Sequence, residues 1–159
     1  MPGSAPAGLK VVRTVVLLSL AIFLCAHARA DEQAQVAAAF QRFIEAANAH
    51  DLDAIDALVL DSPQVAWSVN YTDAQGHEGV MRYFKRVFDG NWAAKPDLSR
   101  AEWTESGRHL WVLRLSIAIA EGPLGRTAEP IDFDALQSWI LTANGWKLVA
   151  FVTFGKPAP

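Results

Sequence analysis

Charged side chains at strand spacing are the first feature of this sequence that could do chemistry. Asp132 and Asp134 stand two residues apart near the start of a predicted strand, so their side chains share one side of it. Two such carboxyls could act as general acid and base if one were desolvated; the alternative is a solvated strand end. Arg114, in the middle of the preceding predicted strand, either binds a carboxylate bidentately inside the protein or lies on an outer face.

The histidines do not have the spacing of a metal site. His50, His77 and His109 form neither H-x-H nor H-x-x-x-H, so we expect no metal ion. His77 and Glu78 could form an acid–base pair, or Glu78 could favour the start of a third helix through the helix dipole. The sequence has no G-x-S-x-G motif and no glycine-rich phosphate loop, and we expect no cofactor.

Aromatic residues form the second candidate set. All six tryptophans lie between residues 67 and 146, which is a heavy load for one small domain. Four aromatic residues fall on the apolar faces of predicted elements: Phe43, Trp67, Phe84 and Trp139. They form either a plain core or the border of an apolar pocket, and the spacing leaves both interpretations open.

Helices are predicted in the first half of the chain. Apolar residues at helical spacing predict an amphipathic first helix: Val36, Phe40, Phe43, Ile44 and Ala47. Asp51 is expected to cap a second, shorter helix that ends before Pro63. We predict a polar loop over residues 72–79 and a third helix over residues 80–89.

Strands dominate the second half. One short strand is predicted over residues 64–70, and four more follow over residues 98–104, 109–120, 133–143 and 146–154. Residues 91–96 are expected to be irregular. The strand over residues 109–120 alternates clearly, with Trp111 and Leu113 on one side and Arg114 on the other. Asn144-Gly145 predicts a tight hairpin between the last two strands.

This order of elements predicts the fold class. Helices that are segregated from a run of antiparallel strands indicate an α+β fold. We expect a cone-shaped domain, in which three N-terminal helices pack on a curved antiparallel sheet and enclose an apolar interior.

The first thirty residues have the layout of a secretory signal peptide. Lys10 and Arg13 precede an uncharged apolar run over residues 14–26, which is short for a membrane span. Two A-x-A cleavage patterns follow, and we predict cleavage after Ala30. The domains are then a signal peptide, 1–30, and one domain, 31–159, in the periplasm or secreted. An uncleaved anchor is the alternative.

Cleavage changes the charge and the cysteine count. It removes 30 of 159 residues, including three of the 14 basic residues and none of the 17 acidic ones, which leaves a net charge of −6. This charge argues against nucleic acid as a partner. The only cysteine, Cys25, is also removed, so the core must hold the domain together without disulfides.

Several stretches of residues 33–155 resemble the nuclear transport factor 2-like superfamily, in particular its SnoaL-like and ketosteroid-isomerase-like branches. The resemblance lies in Phe40-Gln41-Arg42-Phe43-Ile44, in Asn48 to Ile55, in Gly76-His77-Glu78-Gly79 and in the final hairpin Asn144 to Val149. It implies a cone-shaped fold, a pocket bordered by some of the aromatic residues, and a homodimer that packs through the outer face of the sheet. The fold hosts many functions, so it does not by itself define an activity.

The catalytic residues of ketosteroid isomerases do not carry over to this chain. The resemblance puts Phe43 where those enzymes have a tyrosine and Trp67 where they have the aspartate base. Their third position corresponds to Asp132 by local similarity, or to Gln137 by counting back from the hairpin. Epoxide hydrolases of the same fold use an arginine between two carboxylates; Arg114 is the counterpart here, but its neighbour is Ser116.

Two functions follow from these observations. The first is an exported binding domain for a small apolar molecule, without the isomerase triad, whose ligand residues are Phe43, Trp67, Phe84, Arg114, Asp132, Gln137 and Trp139. The second is a dimeric interaction module whose interior is filled by its own side chains. A SnoaL-like enzyme of undefined lyase, isomerase or hydrolase type also stays open, with no catalytic residue assigned.

Overall fold

The computed structural model of the protein describes residues 29–155. From Gln35 onward, the described chain belongs to one compact unit. Nearly all of the predicted signal peptide lies outside the described residues, so its cleavage stays a prediction. Within residues 29–155, no helix combines the length and the apolar character needed to cross a bilayer.

Three helices precede most of the sheet. The first, α1, covers residues 29–48 of the described chain, and its predicted apolar stripe from Val36 to Ala47 is buried. The second, α2, spans Leu52–Leu58, and the carboxylate of Asp51 accepts a hydrogen bond from the backbone nitrogen of Ala54 at 3.0 Å. The predicted cap is therefore confirmed. The third, α3, spans Gly76–Phe88.

The predicted loop over residues 72–79 is wrong. Strand β1 (Ala66–Val69) pairs with a polar edge strand, β2 (Thr72–Gln75), and α3 begins directly afterwards. Sequence reasoning missed β2 because an edge strand needs no apolar side chains when backbone pairing holds it. Gly76 makes the abrupt change to helix possible: its φ is +72°, and a Cβ there would lie 3.3 Å from the Pro63 backbone.

The sheet has six strands in the order β2-β1-β6-β5-β4-β3. The four long strands are β3 (Asn91–Gly107), β4 (Leu110–Gly122), β5 (Ile131–Thr142) and β6 (Gly145–Gly155). All neighbours are antiparallel except β1 and β6, which run parallel. Three helices against a curved, open sheet confirm the predicted α+β cone fold, with one parallel pairing in addition.

Residues 91–96 are strand rather than irregular. They pair with the end of β4, from Asn91 opposite Gly122 to Pro96 opposite Ile117. The register shifts between Asp97 and Glu102, and this irregularity separates the paired segment from the strand that was predicted after it. The side-chain amide of Asn48 fixes this segment to the end of α1, because it donates to the Ala94 carbonyl at 2.9 Å and accepts from the Ala94 nitrogen at 2.8 Å.

The faces of the sheet follow the predicted alternation. On β4, the apolar set from Trp111 to Ile119 is buried and Arg114 is exposed. The buried face carries most of the core against the helices. The predicted hairpin at Asn144-Gly145 is also present, with Gly145 at φ +88°.

Candidate functional site

The four predicted aromatic residues lie together in the interior. Phe43 of α1 is at their centre, with ring centroids 6.3 Å from Trp67, 6.0 Å from Phe84 and 6.1 Å from Trp139. Trp67 also contacts Phe84 at 5.0 Å. Each of the four is at most 2% exposed. The helical stripe of α1 and the buried face of the sheet thus bring residues from four different elements into one ring cluster.

Gln137 adds a polar group to this interior. It lies on β5 directly opposite Phe151 of β6, which in turn is opposite Trp67 of β1. Its side chain is 0% exposed, and no other amide or charged side chain among residues 29–155 is buried. Its Oε1 accepts a hydrogen bond from Nε1 of Trp139 at 3.0 Å.

Several buried nitrogens in the interior lack a hydrogen-bond partner within the part of the chain that the structure describes: Nε1 of Trp67, Trp111 and Trp146, and Nε2 of Gln137. All four groups are donors. A buried donor without a partner costs about 1–3 kcal/mol, so native proteins rarely leave one unpaired. The interior is therefore chemically suited to a molecule that brings acceptor oxygens.

Arg114 and Asp132 do not join this cluster. Arg114 lies on the opposite, exposed face of β4, opposite Glu102 on one side and Leu136 on the other. Asp132 is exposed on β5. Asp134, on the same face of that strand, accepts a hydrogen bond from Oγ of Ser116 at 3.0 Å. The sequence left open whether Arg114 faces the interior or the outside of the sheet, and in the structure it faces the outside.

A second group of polar residues, which sequence reasoning missed, links Tyr83 of α3 to the end of β4. The carboxylate Oε2 of Glu121 accepts hydrogen bonds from Nδ2 of Asn70 at 3.2 Å and from the phenol of Tyr83 at 3.3 Å. The phenol oxygen in turn accepts from Nε1 of Trp92 at 3.3 Å. Glu121 and Asn70 line an open cleft of about 580 Å³, together with Arg86.

Burial controls the protonation of Tyr83. Its side chain is 3% exposed, and the loss of solvation raises the pKa of the phenol well above its ordinary value. The nearby charge of Glu121 raises this pKa further. Tyr83 therefore stays protonated at neutral pH and acts as a donor to Glu121.

The signal for this group was only partly present in the sequence. Tyr83 follows Val80 by three residues, which puts it on the predicted apolar side of α3. Its hydrogen-bond partners, Trp92 and Glu121, lie 9 and 38 residues after it, and the packing of α3 beside the end of β4 brings Glu121 to it.

His50 and His77 both make contacts with neighbouring elements. Nε2 of His77 lies 3.2 Å from Oδ1 of Asp56, while Glu78 pairs with Arg82 at 3.6 Å, so His77 and Glu78 do not pair with each other. The ring of His50 stacks on Phe88 at 4.6 Å. Among residues 29–155, no three His, Cys, Asp or Glu side chains gather as a metal site would require.

Comparisons with known proteins agree on the fold. A family model described as a SnoaL-like domain matches residues 40–149. A nuclear transport factor 2-like superfamily protein from Salmonella enterica superimposes with a TM-score of 0.72 at 12% identity, over 82% of this chain and 94% of that one. A search of curated protein sequences found no match.

Two further solved structures carry a description of activity. A candidate dehydratase of the same family from Streptomyces avermitilis has a TM-score of 0.67 at 19% identity, over 78% of this chain and 95% of that one. A candidate aromatic ring hydroxylase from Novosphingobium aromaticivorans has a TM-score of 0.68 at 15% identity, over 81% and 91%. At these identities, the likeness establishes the fold alone.

Proposed function

The chain belongs to the SnoaL-like domain family, and from this premise we propose that it is an exported protein that binds a small, largely apolar molecule in its interior. The bound molecule carries at least one acceptor oxygen, such as that of a ketone, quinone or ester. Trp67 and Gln137 donate hydrogen bonds to it, and Phe43, Phe84 and Trp139 surround its apolar part. Arg114 and Asp132 lie outside this site.

One observation carries the proposal: the interior donors have no hydrogen-bond partner within residues 29–155. Nε1 of Trp67 and Nε2 of Gln137 belong to residues of one row across three adjacent strands, with Phe151 between them. An acceptor oxygen between apolar rings would satisfy one or both of them, at a site where a hydrogen bond is stronger than in water. A site that donates hydrogen bonds rejects an analogue without the acceptor, because the donors are then left unpaired.

Binding requires the ring cluster to open. The rings now contact one another at centroid distances of 5.0–6.4 Å, so a ligand has to displace at least one of them. Side-chain rotation on binding is common in proteins and needs little backbone movement. The hydrogen bonds gained by the unpaired donors offset part of that cost.

Export is proposed from the sequence of the first thirty residues. The positive segment, the apolar run and the A-x-A patterns all precede the family match, which begins at residue 40. Intact-mass analysis of the protein recovered from outside the cytoplasm should give a chain that starts at Asp31. A full-length chain that stays with the membrane would favour the uncleaved anchor.

The descriptions of the two relatives favour a small-molecule ligand over a macromolecular one. One is a candidate dehydratase and the other a candidate aromatic ring hydroxylase. Enzymatic turnover should therefore be assayed with compounds of the chemical class that binds. The acidic net charge of the mature chain gives no support to a nucleic-acid partner.

A second candidate function, dimerisation through the outer face of the sheet, has its own observation. Leu136 and Val152 face each other across β5 and β6 and are 37% and 36% exposed, with Phe154 nearby at 41%. An apolar patch in the middle of a sheet is unusual for an isolated domain. A homodimer would cover it, and it is compatible with an interior that binds ligand.

A thermal-shift screen of the mature protein tests the binding proposal. Steroids, aromatic polyketide-like compounds, fatty acids and small carboxylates are the compound classes, and Trp67→Ala is the variant. A ligand at about 100 times its Kd stabilises the protein by roughly 2.7 kcal/mol, which raises the melting temperature by several degrees. A shift that is lost in Trp67→Ala supports the interior site; no shift from any class, with a stable dimer in solution, supports the interaction module.

A further inference from the structure

We propose that the cleft between α3 and the end of β4 is a second binding site, specific for a small organic cation such as an alkylammonium ion, with Glu121 as its anionic contact. This site is separate from the interior and does not depend on the function proposed above. Neither the family match nor the structural relatives assign a role to these residues.

The carboxylate of Glu121 is held in place by neutral groups. Asn70 and Tyr83 both donate to its Oε2, at 3.2 and 3.3 Å. Within residues 29–155, no lysine, arginine or histidine nitrogen lies within ion-pair distance of this carboxylate. The half-buried side chain is therefore oriented but its charge is not balanced, and its second oxygen has no partner among the described residues. Such an acceptor fits a cation that donates a hydrogen bond.

A donor relay fixes the direction of the Tyr83 hydroxyl. Nε1 of Trp92 can only donate, and it donates to the phenol oxygen at 3.3 Å. The phenol hydrogen is thus left for Glu121. Since both Trp92 and Tyr83 are buried, the carboxylate is positioned by residues that are themselves fixed in the core.

Arg86 lies at the edge of the cleft, and its charge opposes the proposed ligand. Its guanidinium carbon lies 5.4 Å from the centroid of the Tyr83 ring, at the distance of a cation–π contact, and that ring borders the neighbouring depression beside β2 rather than this cleft. Arg86 is exposed and lines both, so its positive charge repels a cation bound beside Glu121. Removal of Arg86 should therefore strengthen binding.

The cleft has room for an amine with a short apolar chain. Its volume is about 580 Å³, and the side chains of Val87, Pro123 and Leu124 supply apolar walls. Asp89 adds a second carboxylate at the rim. With two acids against one arginine, the charge of the lining favours a cation over an anion.

Titration of the exported protein with n-butylammonium, followed by amide chemical shifts, tests the proposal. n-Butanol is the neutral probe of matched size. We expect saturable binding of butylammonium that is about tenfold or more tighter than that of butanol, and a loss of about tenfold or more in Glu121→Gln. Arg86→Met should bind severalfold tighter than the wild-type protein.

Control variants distinguish specific binding in the cleft from general attraction of a cation to an acidic protein. Glu45→Gln removes an exposed carboxylate of α1 and should leave the affinity unchanged. Gln137→Met should also leave it unchanged, which distinguishes this cleft from the interior site. Equal binding of butanol, equal binding by Glu121→Gln, or weaker binding by Arg86→Met would overturn the proposal. If Glu121→Gln fails to fold, the Arg86→Met result decides.

Discussion

The side chain of Gln137 accepts a hydrogen bond from the indole nitrogen of Trp139 at 3.0 Å, while its own amide nitrogen has no partner among the described residues. The contact fixes the amide on a fully buried side chain. Gln137 is therefore a donor in the core that is oriented before any ligand arrives, and the proposed binding function depends on it.

Gln137→Met should change the stability of the unliganded protein little. The substitution removes the unpaired amide nitrogen of Gln137, but it also leaves the indole nitrogen of Trp139 without its acceptor. The methionine side chain has a volume similar to that of glutamine. We expect the free energy of unfolding in urea to change by less than about 1.5 kcal/mol. A loss of about 3 kcal/mol or more would mean that the amide nitrogen is already paired in the unliganded protein, against the account.

Phe43→Ala should be strongly destabilising. Phe43 is fully buried at the centre of the ring cluster and contacts four other rings, so truncation leaves a cavity that rigid neighbours cannot fill. We expect a loss of about 3–5 kcal/mol in urea unfolding. Leu124→Ala, at a side chain that is 76% exposed, is the control and should stay within about 0.5 kcal/mol of wild type. A small effect of Phe43→Ala would indicate a loosely filled interior.

Tyr83 should make the protein lose stability in alkali. Because burial raises its pKa in the folded state, the unfolded chain releases this proton first as the pH rises above about 10. The stabilisation is complete below that pH and is lost above it, with a slope of up to about 1.4 kcal/mol per pH unit. Urea unfolding between pH 9 and 11 should show a shallower decline for Tyr83→Phe.

Tyr71→Phe is the control for that experiment. Tyr71 is 85% exposed, so its removal should leave the alkaline decline as in the wild type. The same slope in Tyr83→Phe and in the wild type would contradict the assigned environment of Tyr83.

Leu136→Lys should separate a dimer into monomers. The side chain lies beside Val152 at the centre of the outer apolar patch, and a lysine there would be desolvated without a partner. Sedimentation velocity should report a dimer for the wild type and a monomer for the variant. Leu124→Lys, an equally apolar loop position away from the sheet, should stay dimeric. A wild-type monomer would count against a role for this face.

Sequence patterns predicted the elements whose side chains alternate between core and solvent. The stripe of α1, the two faces of β4 and the hairpin at Gly145 all arise from local periodicity or turn chemistry. The polar strand β2 and the first turn of α3 were missed, because backbone pairing and the left-handed Gly76 determine them rather than apolar spacing.

The same difference between local pattern and tertiary contact separates the ring cluster from the polar group at Glu121. Phe43, Trp67, Phe84 and Trp139 could be found from their apolar faces, and their proximity follows from the fold. The Tyr83–Glu121 contact could not, because it joins residues 38 positions apart, one on α3 and one on β4, and only the packing of the helix beside the sheet brings them together. The face of Arg114 was undecided for a related reason: a shift of one residue inverts every side chain of a strand.

A titration with two ligands of one skeleton is the sharpest test of whether the interior donors bind an acceptor oxygen. An apolar ketone from the screen and its carbonyl-free hydrocarbon analogue are each titrated calorimetrically into the wild-type protein, Gln137→Met and Trp67→Phe. We expect the ketone to bind the wild-type protein at least about tenfold more tightly than the hydrocarbon does, and each variant to lose most of this difference. Equal affinity for both ligands, or a preference that survives in both variants, would contradict it.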